Sequence, residues 1–196
     1  GQKIAKFPKI IAVSKTFGVE KIFPLIKYGH LDYGENKVQE AIDKWSKIKI
    51  DNPSIRLHLI GKLQTNKVKF AVKIFDFIHS VDSEKLVKKI SDEQIKQEII
   101  DTVRLYTVNG LGVGTSGNLS ARTERGFLVT PTGVSYEALE PQLLVELNIE
   151  GEVIGGHLRP SSEWRFHRDI YFNREEAGAI VHVHSPFATA IACTRK

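Results

Sequence analysis

The longest helical pattern in this 196-residue chain runs from Ser83 to about Asn109 and changes its apolar face part-way. Its stripe is Leu86, Ile90, Ile95, Ile99, Val103 and Tyr106. Steps of three or four residues keep side chains on one helix face. The five-residue step from Ile90 to Ile95 instead turns the face by about 140° on a 3.6-residue helix. Such a helix either serves two different cores or is interrupted at the slip. Ser83 or Asp82 supplies its N-cap.

Composition changes at the same place. Up to Lys96 there are 18 Lys and 1 Arg against 11 Asp+Glu; from Gln97 onward there are 1 Lys and 8 Arg against 12. Folding does not demand that switch of cation, so two sequences of different origin are expected to meet near residue 97, with domains at 1–97 and 98–196. The net charge of +5 hints at anionic partners. Without an aromatic-rich basic cluster or a nucleic-acid motif, the basic half reads as a solvated surface, and no nucleic-acid partner is expected. No apolar run approaches the ~20 residues that span a bilayer, and no secretion signal is visible. The single cysteine, Cys193, excludes an internal disulfide and suits a reducing compartment, so a cytoplasmic location is expected. With Gly1 first and no Met, the chain reads as a fragment.

Short apolar runs alternate with helical patterns in the first half. Strands are expected at Lys9–Ser14, His30–Tyr33, Arg56–Ile60 and Phe75–His79. Helices are expected at Val19–Tyr28, where Pro24 should kink or shorten the helix, at Glu35–Ile48 and at Leu63–Val72. That alternation implies βαβ units and a parallel sheet. After the long helix, Gly110–Gly117 is a glycine-rich turn. Strands are expected at Leu119–Arg122, Phe127–Thr130 and Ala179–His184. Leu143–Asn148 and Glu152–Ile154 read as a hairpin, Ser162–Asn173 as a helix, and Tyr136–Leu139 as a short element of open type. The fold class is α/β, with antiparallel character in the second half.

Lys15 ends the first strand, where parallel α/β folds place their active sites. Partial desolvation there would favour the free amine that a Schiff base needs, although a lone lysine after a strand is usually a surface residue. IIAVSKT (10–16), YGENKVQE (33–40), HLIGKLQTNKVK (58–69) and FDFIHSVDS (75–83) together resemble the pyridoxal-phosphate homeostasis protein family over about residues 8–97. The resemblance implies a TIM barrel carrying pyridoxal 5′-phosphate on Lys15, with contacts from Asn36, His79 and Ser80. A full barrel needs about 250 residues and eight strands. Here there is room for about four, and the loops that hold the cofactor phosphate fall outside the match.

The second half offers VHVHS at 181–185. On a strand, residues two apart share a face, so His182 and His184 could reach one ion, or could simply be strand histidines at the surface. Glu163 in PSSEW could be a helix-capping carboxylate, and the Gly/Ser/Thr turns could be only turns or could cradle a phosphate. Together GTSGNLSAR (114–122), TPTGV (130–134), PSSEWRFH (160–167) and VHVHS resemble the class II aldolase/adducin family, in its L-fuculose-1-phosphate aldolase branch, from about Glu98 to the last residue. The resemblance implies that Gly117, Asn118, Thr132, Gly133, Ser161 and Ser162 bind a substrate phosphate. It implies Zn2+ on His182 and His184, with Glu163 shuttling a proton during retro-aldol cleavage of a sugar phosphate. The family's third histidine and catalytic tyrosine would lie beyond Lys196. His157 and His167 are upstream and do not match that ligand, but His167, four residues after Glu163 on one helix face, could coordinate in its place.

Three functions stay open on these residues. One is a zinc-dependent sugar-phosphate lyase, impaired by truncation and fused to a pyridoxal-phosphate-binding segment. Another is a pyridoxal-phosphate binder without catalysis. The last is a chimeric or constructed chain without native activity. Two partial α/β bodies would leave sheet edges that invite pairing, so self-association into a homo-oligomer is a further expectation.

Overall fold

The computed structural model describes residues 8–111 and 115–194. Gly112, Val113 and Gly114 of the glycine-rich turn lie outside the described residues. The chain divides into two compact units, Gly1–Ser91 and Asp92–Lys196.

The first unit runs β1 (Ala12–Val13), α1 (Val19–Lys27), β2 (Asp32–Glu35), α2 (Val38–Asp51), β3 (Arg56–Leu59), α3 (Val68–Ile74) and β4 (Phe77–Ile78). All strand pairs are parallel, and the order in the sheet, β1-β2-β3-β4, follows the order in the chain. This is the expected βα alternation. The resemblance implies a TIM barrel of which this stretch has room for about four strands, and among the described residues the four-stranded sheet stays open, with β1 and β4 as its edges. Its core is Tyr33, Leu57 and Leu59 from the strands with Trp45, Val68 and Ala71 from the helices. Pro24 sits inside α1 without ending it, and its carbonyl accepts the Tyr28 N–H at 3.0 Å, so the ladder resumes past the proline.

Glu35 was expected to open a helix and instead closes β2, fully buried. Three donors converge on its Oε1: Ser14 Oγ at 2.8 Å, Lys44 Nζ at 2.8 Å and Trp45 Nε1 at 2.9 Å. Two of those donors come from α2, so the buried carboxylate pins that helix to the sheet. Partnering of this kind is what makes a buried charge tolerable, and it outweighs a local helix preference.

Helix α4 (Glu84–Val108) is continuous through the phase slip. The Ser83 hydroxyl accepts the Leu86 N–H at 3.3 Å as an N-cap. Leu86 and Ile90 pack into the first unit's core, whereas Ile95, Ile99, Ile100, Val103 and Tyr106 pack into a core of the second. The slip therefore marks a change of core and not a break.

The second unit holds a five-stranded antiparallel sheet in the order β8-β7-β6-β5-β9. Its elements are β5 (Asn118–Thr123), β6 (Gly126–Val129), β7 (Val145–Leu147), β8 (Val153–Gly155), α5 (Trp164–Asn173), β9 (Ala179–His182) and α6 (Pro186–Cys193). The expected hairpin forms from β7 and β8. Tyr136 and Leu139 are buried without forming a helix or strand. Helix α6 was not expected; Pro186 starts it at a position where the missing N–H costs nothing.

Removing the Glu35 carboxylate strands an indole N–H and a largely buried ammonium. Glu35→Ala is expected to lower stability by about 3–5 kcal/mol. Urea unfolding followed by Trp45 fluorescence, with Trp164→Phe as background, measures it.

Candidate metal centre

Strand β9 pairs with β5 so that His182 lies directly opposite Asn118. The strand ends at His182, sooner than expected, yet His184 still reaches its neighbour: the two Nε2 atoms are 3.1 Å apart. Glu163, the residue before α5, brings Oε2 to 3.7 Å from His182 Nε2. One donor atom from each of Glu163, His182 and His184 falls within a 4.8 Å set. Around a tetrahedral zinc with ligand bonds of about 2.0–2.1 Å, donor atoms sit roughly 3.3 Å apart. Two imidazoles and a carboxylate at these separations fit a zinc-like divalent cation.

A string of buried polar groups stands behind Glu163. Asn118 Nδ2 donates to Glu163 Oε2 at 2.5 Å, and Asn118 Oδ1 pairs with His167 Nε2. His167 Nδ1 is 2.6 Å from Ser120 Oγ, which is 2.7 Å from the Tyr171 hydroxyl. Asn118, Ser120, His167 and Tyr171 are each at most 2% exposed. Burial, aided by His182 and opposed by Glu163, pushes His167 down to about 4, which keeps the ring neutral at pH 7. Arg122 closes the string: its guanidinium lies over the Tyr171 ring and donates to the carbonyls of Tyr171, Arg174 and Ala177.

This assembly follows from two periodicities. Asn118, Ser120 and Arg122 alternate along β5 and share one face. Glu163, His167 and Tyr171 recur every four residues from the start of α5 and share one helix face. The two polar stripes meet. Sequence reading picked out Glu163 and Asn118 but missed the roles of Ser120, Arg122 and Tyr171. His167 was considered only as a replacement ligand, and both its ring nitrogens are engaged with Asn118 and Ser120. The matched spacings were the available signal. His157 is exposed and outside the cluster.

Of the candidate phosphate residues, Gly117 has φ +84, and an added Cβ would lie 2.5 Å from the His182 carbonyl oxygen and nearer still to the Tyr106 hydroxyl. Only glycine lets β5 begin so close to β9 at His182. Thr132 and Gly133 occupy an exposed turn after β6, with Gly133 at φ +74. Backbone bonds Thr132 N–H to Arg159 (3.1 Å) and Ser161 N–H to Thr130 (3.0 Å) lace this turn to the PSSE stretch. Ser161 is buried with its hydroxyl on the Glu163 N–H, and Ser162 is exposed. The Asn118 side-chain amide contacts Glu163 through Nδ2 and His167 through Oδ1.

In the first unit, Lys15, Asn36 and His79–Ser80 follow the carboxyl ends of β1, β2 and β4. Lys15 is exposed in a turn, so the desolvation expected to favour its free amine is not supplied. Asn36 lines a cavity of about 340 Å³ with Lys37, Lys62 and Lys67. His79 Nε2 lies 2.9 Å from His58 Nδ1, and the Ser80 hydroxyl donates to the Gly61 carbonyl.

The chain belongs to the Class II Aldolase and Adducin N-terminal domain family, which matches residues 97–196. It is 46% identical over 99 residues to the 5-methylthioribulose-1-phosphate/5-deoxyribulose-1-phosphate aldolase of Rhodospirillum rubrum, covering 50% of this chain and 44% of that protein. It is 43% identical over 99 residues to the L-fuculose phosphate aldolase of Escherichia coli K12, covering 50% and 46%. A solved L-fuculose 1-phosphate aldolase superposes with a TM-score of 0.50 at 35% identity, covering 52% of this chain and 49% of that one. The N-terminal half matches PipY of Synechococcus elongatus PCC7942, solved with PLP bound, at 42% identity and a TM-score of 0.42, covering 46% of this chain and 42% of that one. The chain spans less than half the length of these curated relatives.

The unfolded chain takes up a proton on His167 below its ordinary value of 6.5, whereas the fold resists it until about 4. The stability that neutral His167 contributes is therefore full above pH 6.5 and falls away towards pH 4, by about 3 kcal/mol in all. Urea midpoints across that range in the metal-free chain measure the loss, and His167→Gln should flatten the profile.

Proposed function

We propose that the second unit is the metal-holding part of a sugar-phosphate lyase, cleaving a ketose 1-phosphate by retro-aldol reaction into dihydroxyacetone phosphate and an aldehyde. The observation that carries this reading is the convergence of Glu163 with the two imidazoles of His182 and His184. The curated relatives named above are aldolases of sugar phosphates, which agrees with it. A bound divalent cation supplies Lewis acidity at the ketose oxygens. The protein's own groups divide the rest. His182, at the end of β9, and His184, two residues on, offer lone pairs. The Glu163 carboxylate takes and returns a proton beside the ketone. On the laced turns, the N–H groups of Gly133 and Ser162 and the hydroxyls of Thr132 and Ser162 receive the phosphate. The nearest test is Zn2+ titration calorimetry of the full chain with L-fuculose 1-phosphate as trial substrate. Replacing both His182 and His184 by Ala should weaken Zn2+ binding at least 100-fold and abolish release of dihydroxyacetone phosphate. Unchanged metal content in the double variant sinks the reading.

A second reading concerns the first unit: pyridoxal 5′-phosphate held covalently on Lys15, with Asn36, His79 and Ser80 nearby. A backbone outlier favours it. Thr16, next to Lys15, sits at φ +68, a conformation that β-branched residues rarely adopt and that costs about 1–3 kcal/mol. Such strain clusters where a side chain is being aimed. Incubation with the cofactor and borohydride reduction should label the Lys15 peptide by mass, and Lys15→Ala should abolish the label. A label on other lysines with Lys15 unmodified removes the idea.

A further inference from the structure

Behind Glu163 the buried string has a direction, and we infer that Asn118 is a positioning residue for Glu163, its amide turned by His167, Ser120 and Tyr171. The inference deepens the metal-centre reading and rests on it. Asn118 could face Glu163 with either end of its amide. A carbonyl facing Oε2 would oppose two acceptors, so the N–H end must face the carboxylate. Then Oδ1 faces His167 and requires a donor, which makes Nε2 the protonated ring nitrogen and leaves Nδ1 an acceptor. Nδ1 accepts a hydrogen bond from the Ser120 hydroxyl, and the Ser120 oxygen accepts one from Tyr171. Each polar atom has a partner of the right sense in this order. Reversing the order would need a proton on Glu163.

The restraint acts on the metal-facing atom itself. Oε2 is both the oxygen that Asn118 holds at 2.5 Å and the one 3.7 Å from His182 Nε2. Asn118 is also paired across the sheet with His182, so one residue ties the carboxylate to the strand that carries the imidazole. A carboxylate on its own has free torsions; with one lone pair taken by Asn118, its remaining lone pairs are directed. Four buried polar residues are costly unless all are satisfied, and an apolar packing would stabilise the fold as well. Their arrangement is explained by what they aim.

The test uses the full chain with Co2+ as the probe and ¹⁵N-histidine NMR of the metal-free protein. The expected His167 ring is the Nε2–H tautomer with a slowly exchanging proton. Asn118→Ala should weaken Co2+ binding about tenfold or more and alter the ligand-field absorption. In a Glu163→Ala background the same substitution should add no further loss. Additive losses overturn the proposal, because they show Asn118 acting on the site other than through Glu163. An Nδ1–H tautomer at His167 overturns it independently. A chain that takes up no Co2+ sinks the metal-centre reading alone; the ring spectrum then still decides the string, Nε2–H supporting it and Nδ1–H overturning it.

Discussion

The pairing of β5 with β9 is the constraint on which the candidate site depends. One register sets Asn118 opposite His182 and Leu119 opposite Val181. A slip by one residue would turn every side chain of β9 to the other face. His182 would then leave Glu163, and Asn118 would lose its place between the carboxylate and His167. Gly117 protects this register at its start, because no side chain fits against the His182 carbonyl there. Arg122 protects it further along by binding three carbonyls at and beyond the end of α5. The strand thus holds both the helix that Glu163 precedes and the strand that ends at His182.

The same logic of partnered burial governs the first unit. Glu35 is wholly buried and carries three donors on one oxygen, two of them from α2. Helix α4 differs from both, since it contributes one stretch of its surface to each unit's core. Each stretch obeys a helical period, and only the five-residue step between them marks the change.

Much of this was legible from residue spacing. The βα alternation, the β7–β8 hairpin and the two-core helix all follow from periodicities of two or three to four residues. The HxH pair and Glu163 were legible as chemistry. What spacing did not yield was the end of β2: Glu35 looks like a first-turn helix residue until its three partners are known, and two of them lie nine and ten residues on. Nor did it yield α6, whose mostly apolar PFATAIAC run carries no polar stripe to set a period. The polar stripes on β5 and α5 were readable singly, but their meeting depends on the fold of the sheet.

The two candidate sites differ in how they are built. Lys15, Asn36 and His79–Ser80 stand at strand ends, and the lysine is open to solvent beside the strained backbone of Thr16. Glu163 is held by a side chain that is itself held, through two further buried partners. Preorganisation of this kind is what separates a set of ligating atoms from a site, because a carboxylate fixed before the metal arrives loses little freedom on binding it. On that ground the second unit holds the better-built of the two candidate sites, and its hydrogen-bond order requires a neutral His167. A protonated ring would need Ser120 and Tyr171, each only 2% exposed, to reverse their hydroxyls.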